Sequence, residues 1–167
     1  MSIAARTVAH AKTPDPMSEL KRPRTDTAER SDDSPRGSRT ASATTTRGIR
    51  IEVRSAFLPE RSSPREGSYL FQYDVRISNV GSETAQLISR EWIITNADGE
   101  VERVKGPGVI GEQPVLAPGG SFEYTSYFPL KTAVGSMHGS YQMVTTNGDR
   151  FDAAISPFTL AVPNALN

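Results

Sequence analysis

From residue 48 onward, apolar and polar residues alternate with a period of two. Between Ile49 and Arg54 every second residue is Ile or Val, and the others are Arg or Glu. The run Tyr69–Ser78 repeats this pattern, with aromatic and β-branched side chains on one parity and Leu70 as the single apolar exception on the other. Because successive side chains of a strand point to opposite faces, both runs predict strands with one buried face.

Further strands follow at short intervals, and no stretch shows a helical period. Residues 85–95 are apolar on both parities, which predicts a central strand with a bulge near Ser89–Glu91 and with Trp92 in the core. A change of parity at Ser156–Pro157 predicts a bulge or a sheet edge. About seven strands separated by turns predict an all-β, immunoglobulin-like β-sandwich. Its other expected strands are Val101–Val104, Phe122–Phe128, Tyr141–Thr145 and Phe151–Ile155.

The first 47 residues have a different composition. All twelve aromatic residues lie between Phe57 and Phe158, and residues 1–47 are rich in Ser, Thr, Pro, Arg and Asp. Such a segment buries too little apolar surface to offset the cost of ordering its backbone, which is about 1–2 kcal/mol per residue. We therefore expect a disordered N-terminal tail over residues 1–47 and one sandwich domain over residues 48–167.

Charge and cysteine content exclude several classes of function. The chain has 19 basic and 19 acidic residues, of which nine basic and six acidic ones lie in residues 1–47. Residues 48–167 therefore carry 10 − 13 = −3, which disfavours nucleic acid as a partner. The absence of cysteine excludes disulfides, thiolate nucleophiles and Cys-based zinc sites. With no apolar run long enough for membrane insertion and no secretory signal, we expect a cytoplasmic protein.

One glycine-rich stretch, Lys105–Pro114, is the main candidate for a binding site. Gly106, Gly108 and Gly111 form the spacing G-x-G-x-x-G, which cradles phosphates in dinucleotide-binding folds. That cradle depends on a helix that follows the glycines and points its N-terminus at the phosphate. Here Glu-Gln-Pro follows, so no helix can begin and the dinucleotide interpretation fails.

Two interpretations of this stretch stay open. The glycine amides could form a nest for an anion, with Lys105 and Arg103 supplying positive charge. Alternatively, the glycines provide positive φ angles where the chain crosses between the sheets, and Pro107 stiffens the turn. The second interpretation is favoured, because Glu112 would repel an anion.

Few other residues are candidates for chemistry. Arg90 shares the parity of Trp92, so its charge needs a partner, and it is a candidate anion-facing residue. His138 is the only histidine after residue 47, and no serine lies in a G-x-S-x-G elbow. We therefore expect no catalytic residues, no metal site, no cofactor and no enzyme activity.

The chain resembles the ApaG domain family in five motifs that occur in the same order. The resemblance covers roughly residues 48–167 and leaves the first 47 residues unmatched. One departure is visible, since this chain has Arg-Glu-Trp at Arg90–Trp92 where the family often has Arg-His-Trp. The five matching motifs are Leu87–Gly99, Val104–Gly119, Phe122–Ser126, Gly135–Tyr141 and Ile155–Leu160.

The resemblance implies a fibronectin type III-like β-sandwich and a binding role. Family members are associated with cobalt and magnesium efflux or resistance, and their genes lie beside that of diadenosine tetraphosphatase. Related eukaryotic domains resemble protein-interaction modules. The family's glycine motif, interpreted as a pyrophosphate site, falls here on Gly106, Gly108 and Gly111. We therefore expect a non-catalytic binding domain with a protein partner; the alternative is a nucleotide- or pyrophosphate-binding accessory protein of diadenosine tetraphosphate metabolism.

Overall fold

The computed structural model describes residues 40–165, so most of the predicted disordered tail lies outside the described residues. Within that range the chain forms nine β-strands, and two short 3-10 turns, Pro59–Arg61 and Pro64–Glu66, connect the second strand to the third. Strand bounds are β1 (Thr40–Thr46), β2 (Ile49–Phe57), β3 (Tyr69–Asn79), β4 (Ala85–Asn96), β5 (Val101–Pro107), β6 (Val115–Leu116), β7 (Ser121–Leu130), β8 (Val134–Thr145) and β9 (Arg150–Ala161).

The strands form two antiparallel sheets that pack face to face. Sheet 1 has the order β1-β2-β3-β7, and sheet 2 has the order β5-β4-β8-β9. The short strand β6 also pairs with β4, beyond the end of β5. This arrangement confirms the prediction of a fibronectin type III-like β-sandwich. No helix within residues 40–165 is long and apolar enough to cross a membrane.

The core is built from the alternating apolar residues that the sequence pattern placed on one parity. Trp92 lies at its centre and is fully buried, as predicted. Its indole meets three rings edge-on, with centroid distances of 5.3 Å to Tyr73, 6.3 Å to Tyr141 and 6.0 Å to Phe158. Each edge-to-face pair adds about 0.5–1.5 kcal/mol beyond the burial of its area. The two sheets are therefore joined at their middle by an aromatic cluster.

Both predicted irregularities are present. The pairing of β4 with β8 shifts between Leu87 and Ser89, so Ile88 is a bulge beside the position that the sequence indicated. In β9, Ser156 and Pro157 together oppose the single residue His138 of β8. This second bulge reverses the parity of β9, so that Ile155 and Phe158 both point into the core. Pro157 is tolerated because β9 is an edge strand.

The predicted boundary of the domain at residue 48 was wrong. Thr40–Thr46 forms β1 and pairs along its whole length with β2. Its hydroxyls on the inward parity contact the edge backbone of β9, where Ser42 donates to the Ser156 carbonyl at 3.0 Å and Thr40 donates to the Thr159 carbonyl. Near the other end, the Ala154 amide donates to the Thr46 hydroxyl at 3.3 Å. Hydroxyl groups thus replace apolar packing in this strand, and we call this set of contacts the β1–β9 clasp.

The chain crosses between the sheets at the end of β3 and again after β6, and Asn79 joins both crossings. Its buried side chain donates to the carbonyls of Glu83 at 2.6 Å and Leu116 at 2.9 Å. Its side-chain oxygen accepts from the Gly81 amide at 3.0 Å. Since Asn79 is only 1% exposed, water cannot substitute for these bonds.

Candidate functional site

The glycine stretch does not cross between the sheets, contrary to the interpretation that the sequence favoured. β5 ends at Pro107 and β6 begins at Val115, and both pair with the same strand, β4. Residues 108–114 therefore form a loop, here called the glycine loop, that leaves and rejoins one edge of sheet 2. The Gly108 amide donates to the Ile88 carbonyl at 2.8 Å, which fixes the loop to the bulge in β4.

Each of the three glycines is required for its own structural reason. A Cβ on Gly106 would lie 3.0–3.1 Å from the guanidinium group of Arg90. A Cβ on Gly108 would overlap the Glu112 backbone, and the φ of Gly108 is +57°. Gly111 has open space around it but a φ of +70°. Side-chain packing at Gly106 and backbone conformation at Gly108 and Gly111 therefore explain the spacing G-x-G-x-x-G without reference to a ligand.

The tip of the glycine loop is a tight two-residue turn. Val109 and Glu112 exchange two backbone hydrogen bonds of 2.8 and 2.9 Å. The residues between them, Ile110 and Gly111, both have positive φ, at +47° and +70°, as a type I′ turn requires. A β-branched residue is unfavourable in this region, by about 1–2 kcal/mol. Packing offsets this cost, because Ile110 lies against the core and Val109 is 1% exposed.

Arg90 holds the base of this loop. Its guanidinium group donates to the carbonyls of Pro107 at 2.9 Å and Gly108 at 2.7 Å. Arg90, the candidate anion-facing residue, therefore binds carbonyl groups at the base of the loop in the structure. The charge of Arg90 lies on the core parity and needs a partner, and these two backbone carbonyls supply it.

The other two cations beside the loop lie around a carboxylate. Arg103 and Lys105 point to the outer face of sheet 2, where they contact Glu91 at 2.9 and 3.6 Å. Glu91 occupies the position where the resembled family often has histidine, and here it is the centre of a three-residue ion-pair network. Its negative charge reduces the positive potential that these cations would offer to an anion.

Three amides of the glycine loop are used in backbone hydrogen bonds. Those of Gly108, Val109 and Glu112 donate to backbone carbonyls. The amides of Ile110 and Gly111 at the tip turn, and that of Gln113, donate in none of these backbone hydrogen bonds, and the two at the tip are the candidates for an anion. The structure thus brings Arg90, Gly106 and Gly108 together but directs Lys105 and Arg103 to another face.

Sequence reasoning missed a cluster of buried phenols near Arg90. The hydroxyls of Tyr124 and Tyr141 are hydrogen-bonded to each other, and both residues are buried between the sheets. Burial raises the pKa of Tyr124 and Tyr141 well above the usual value, and burial also raises the pKa of Tyr73 although a hydrogen bond from Ser126 opposes it. Each of these tyrosines lies on the core-facing parity of its own strand, β3, β7 or β8. This shared position was the signal that could have revealed the cluster.

We expect these phenols to make the fold sensitive to alkali. In the unfolded chain a tyrosine ionises near pH 10, whereas the folded chain keeps Tyr73, Tyr124 and Tyr141 protonated to higher pH. The contribution of these phenols to the free energy of unfolding should be constant below about pH 9 and fall above about pH 10, by about 1.4 kcal/mol per pH unit for each phenol. Urea unfolding monitored by Trp92 fluorescence between pH 8 and 11 measures this slope. Tyr141→Phe should reduce this slope by the contribution of one phenol, about 1.4 kcal/mol per pH unit. An unchanged slope would contradict the assignment.

Removing the Arg90 guanidinium is expected to loosen the glycine loop. Arg90→Ala leaves the carbonyls of Pro107 and Gly108 without this donor, which should cost about 1–3 kcal/mol. Hydrogen exchange of the amides of residues 106–112 should become at least about tenfold faster, since about 1.4 kcal/mol corresponds to a factor of ten. Arg103→Ala is the control, because its guanidinium contacts Glu91 on the outer face. Equal exchange rates in both variants would show that Arg90 does not hold the loop.

A shallow polar trough of about 610 Å³ crosses the outer face of sheet 1. Oppositely charged residues face each other across its strands, and Arg76 contacts Glu123 at 3.5 Å. His138 lies on the outer face of the other sheet, opposite Ile93 of β4. Among residues 40–165, no group of three or more His, Asp or Glu side chains is placed to hold a metal ion.

These features define the class of protein: a fibronectin type III-like β-sandwich domain whose distinctive element is a rigid glycine loop on one sheet edge. Comparison with known proteins identifies the family. The family model described as the ApaG domain matches residues 59–145. The chain therefore belongs to the ApaG domain family.

Similar proteins and a similar solved structure agree with this assignment. Protein ApaG of Anaeromyxobacter dehalogenans is 56% identical over 126 residues, which cover 75% of this chain and 99% of that protein. Protein ApaG of Thiobacillus denitrificans is 55% identical over 119 residues, or 71% of this chain and 94% of that protein. The crystal structure of the ApaA protein from Bordetella pertussis is 48% identical, with a TM-score of 0.68 over 70% of this chain and 95% of its own.

Proposed function

We propose that this ApaG-family domain is a non-catalytic interaction module that binds a protein partner through the glycine loop and the adjacent strand ends. The observation that supports this most directly is that the loop is fixed by its own contacts. Arg90 holds its base, the buried Val109 anchors it in the core, and the tip turn closes on itself. A loop that is rigid before binding loses little conformational entropy when a partner docks.

The surface around the loop has the mixed character of an interaction site. Val115, directly after the loop, is 62% exposed, and Pro107 at the end of β5 is also exposed. Arg103 and Lys105 on β5 are exposed and Glu112 in the loop is half-buried, so charged residues occur in the same segment as these apolar groups. An apolar centre with a charged rim is typical of protein interfaces.

A pair of equally exposed valines provides the test. Val115 beside the loop and Val80 after β3 are both 62% exposed, so aspartate at either position should leave the fold intact. Tagged full-length protein is purified from its native cells, and bound proteins are quantified by mass spectrometry. The partner recovered with the unmodified chain and with Val80→Asp should be lost with Val115→Asp. Equal recovery with both variants would contradict the assignment of the surface.

The second candidate function is a nucleotide- or pyrophosphate-binding accessory role in diadenosine tetraphosphate metabolism. It is favoured by the tip turn, where the amides of Ile110 and Gly111 are not used in the backbone hydrogen bonds of the loop. Pyrophosphate, ATP and diadenosine tetraphosphate are titrated into the full chain while amide shifts are followed by NMR. Saturable, salt-sensitive shifts confined to the tip would support this role. No shifts at millimolar ligand would remove it.

We further propose that any influence on cobalt or magnesium levels is exerted through the protein partner. Glu91, a carboxylate on β4 opposite Lys105 of β5, is engaged by Arg103 and Lys105, which compete with a divalent cation for its oxygens. Calorimetry of the full chain with cobalt and magnesium salts tests this directly. Binding tighter than about micromolar, equivalent to about 8 kcal/mol, would show a dedicated metal site.

A further inference from the structure

The edge strands differ between the two sides of the sandwich. On one side the edges of both sheets, β1 and β9, are joined by the hydroxyls of the β1–β9 clasp. On the other side, β7 is the edge of sheet 1, and β5 with β6 is the edge of sheet 2. An open edge offers unpaired backbone groups to which another strand can add.

The two open edges differ in their protection against strand addition: β5 is strongly protected, whereas β7 has one charged residue and one proline, Pro129, near its end. β5 has charged side chains at Glu102, Arg103 and Lys105 and ends in Pro107, and the glycine loop follows it. β7 spans Ser121–Leu130 with Glu123 as its single charged residue. Charges, proline and irregular loops are the devices that block an edge, and β5 has all three.

The pairing of β3 identifies which backbone groups of β7 face outward. Leu70 of β3 accepts a hydrogen bond from Leu58 on the β2 side. At the other end of β3, the Asn79 amide donates to Gly120 on the β7 side. Because the bonding direction alternates along an antiparallel strand, the backbone groups directed away from β3 belong to every second residue of β7. These residues are Ser121, Glu123, Thr125 and Tyr127, followed by Pro129.

The position of Pro129 supports this assignment of the outward-facing residues. Pro129 lies opposite Leu70, whose backbone bonds toward β2, so its missing amide leaves no gap in the ladder between β3 and β7. From Ser121 to Phe128 the outer edge of β7 is uninterrupted by proline. It therefore offers a template that is longer than the average strand of about 5–6 residues.

We propose that the free edge of β7 is a binding site for an extended basic peptide segment of a partner protein, which adds to sheet 1 as a fifth strand. Main-chain hydrogen bonds to Glu123, Thr125 and Tyr127 hold the peptide. This site lies in the opposite sheet from the glycine loop, so it goes beyond the function proposed above and can fail independently of it.

Charge complementarity determines the chemistry of the peptide. Glu123 is exposed, and its only described cation, Arg76, lies on the inner neighbour β3 at 3.5 Å. A peptide strand on the outer side of β7 would place a side chain directly opposite Glu123, where lysine or arginine is favoured. Two more carboxylates, Glu100 and Glu102, lie beside Phe128–Lys131 at the far end of β7. Although Lys131 and Arg61 also lie near this edge, the position opposite Glu123, the one charged residue of β7, favours a basic residue over an acidic one.

The test uses the full-length chain and a synthetic peptide probe with the sequence acetyl-Val-Thr-Val-Lys-Val-Thr-Val-amide. Amide shifts and hydrogen exchange of the protein are measured with and without the peptide. We expect shifts centred on β7 and at least about tenfold slower exchange of the Glu123, Thr125 and Tyr127 amides. A matched peptide with Glu in place of Lys should bind at least about threefold more weakly, in keeping with cross-strand charge pairs.

Two variants separate strand addition from side-chain contact. Thr125→Pro removes one outward amide without removing a bond to β3, whereas Thr125→Val keeps that amide. Both lose the hydrogen bond from the Thr125 hydroxyl to Asp74, so they differ only at the backbone and in ring geometry. Peptide affinity should fall at least about tenfold in Thr125→Pro relative to Thr125→Val.

Several results would overturn the proposal. These are equal affinity of the two variants, shifts centred on β5 or on the glycine loop, and stronger binding of the Glu-containing peptide. Protection of the β7 amides that grows with protein concentration in the absence of peptide would assign the edge to a second copy of this chain. Protection that is already present in the dilute free chain would assign it to another segment of the same chain. Either occupant would replace the basic partner peptide.

Discussion

Gly139→Ala is expected to lower the free energy of unfolding by at least about 3 kcal/mol, because overpacking a core typically costs about 1–3 kcal/mol even where side chains can adjust. Gly139 lies in β8 directly opposite Trp92 of β4. A Cβ at this position would overlap the Glu91 carbonyl oxygen and lie 3.1 Å from the Trp92 Cα. Both neighbours are backbone atoms of the central strand, so the two strands would have to separate beneath the aromatic cluster.

Urea unfolding monitored by Trp92 fluorescence measures this change, and Gly148→Ala is the control. Gly148 has a φ of +86°, but a Cβ added to it would meet no atom within 4 Å. Alanine at Gly148 therefore costs only the backbone term of about 1–2 kcal/mol. A Gly139→Ala variant no less stable than Gly148→Ala would mean that the spacing between β4 and β8 can relax.

Asn79→Ala should lower the free energy of unfolding by about 2–4 kcal/mol, since a buried group left without its hydrogen bond costs about 1–3 kcal/mol. The side-chain amide of Asn79 is the common partner of Gly81, Glu83 and Leu116. Its removal leaves the Leu116 carbonyl without this donor in a buried environment. Because Asn79 joins both crossings between the sheets, hydrogen exchange should increase in both crossing loops together.

Asn79→Asp provides the sharper comparison. Aspartate has nearly the same shape, but an ionised carboxylate accepts only and cannot donate to the carbonyls of Glu83 and Leu116. It should be at least as destabilising as alanine at neutral pH, and it should recover stability as the pH falls and the carboxyl is protonated. An Asn79→Asp variant as stable as the unmodified chain would show that the two donated bonds contribute little.

The strands could be predicted because most of them bury one face of apolar side chains. Alternation located β2 and β3 to within a few residues, and the two bulges were visible as departures from it. β1 was missed because its inward parity carries hydroxyls in place of apolar groups. The stabilisation that those hydroxyls provide depends on the edge backbone of β9, which lies more than a hundred residues away in the sequence. A local composition argument contains no information on that edge.

The glycine loop shows a second limit. Its glycines are conspicuous in the sequence, but the reason for Gly106 is the guanidinium of Arg90 on the neighbouring strand. That reason follows from the register between β4 and β5, which places Arg90 opposite Gly106. The same register separates Lys105 and Arg103 from the interior, because a strand directs successive side chains to opposite faces. The missing helix was sufficient to reject a dinucleotide cradle, but the position of each charge required the structure.

The β1–β9 clasp has a practical consequence for any shortened form of this protein. A truncation at residue 48, where the composition changes, would remove β1 and uncover the outer edge of β2 as well as the edge backbone of β9. Among the described strands, β2 and β9 would then be uncovered edges in addition to β5 and β7, and both are long and able to form hydrogen bonds. Such a fragment should form intermolecular sheets during expression even though its apolar core is complete. The self-sufficient folding unit therefore includes the Ser- and Thr-rich segment from Thr40.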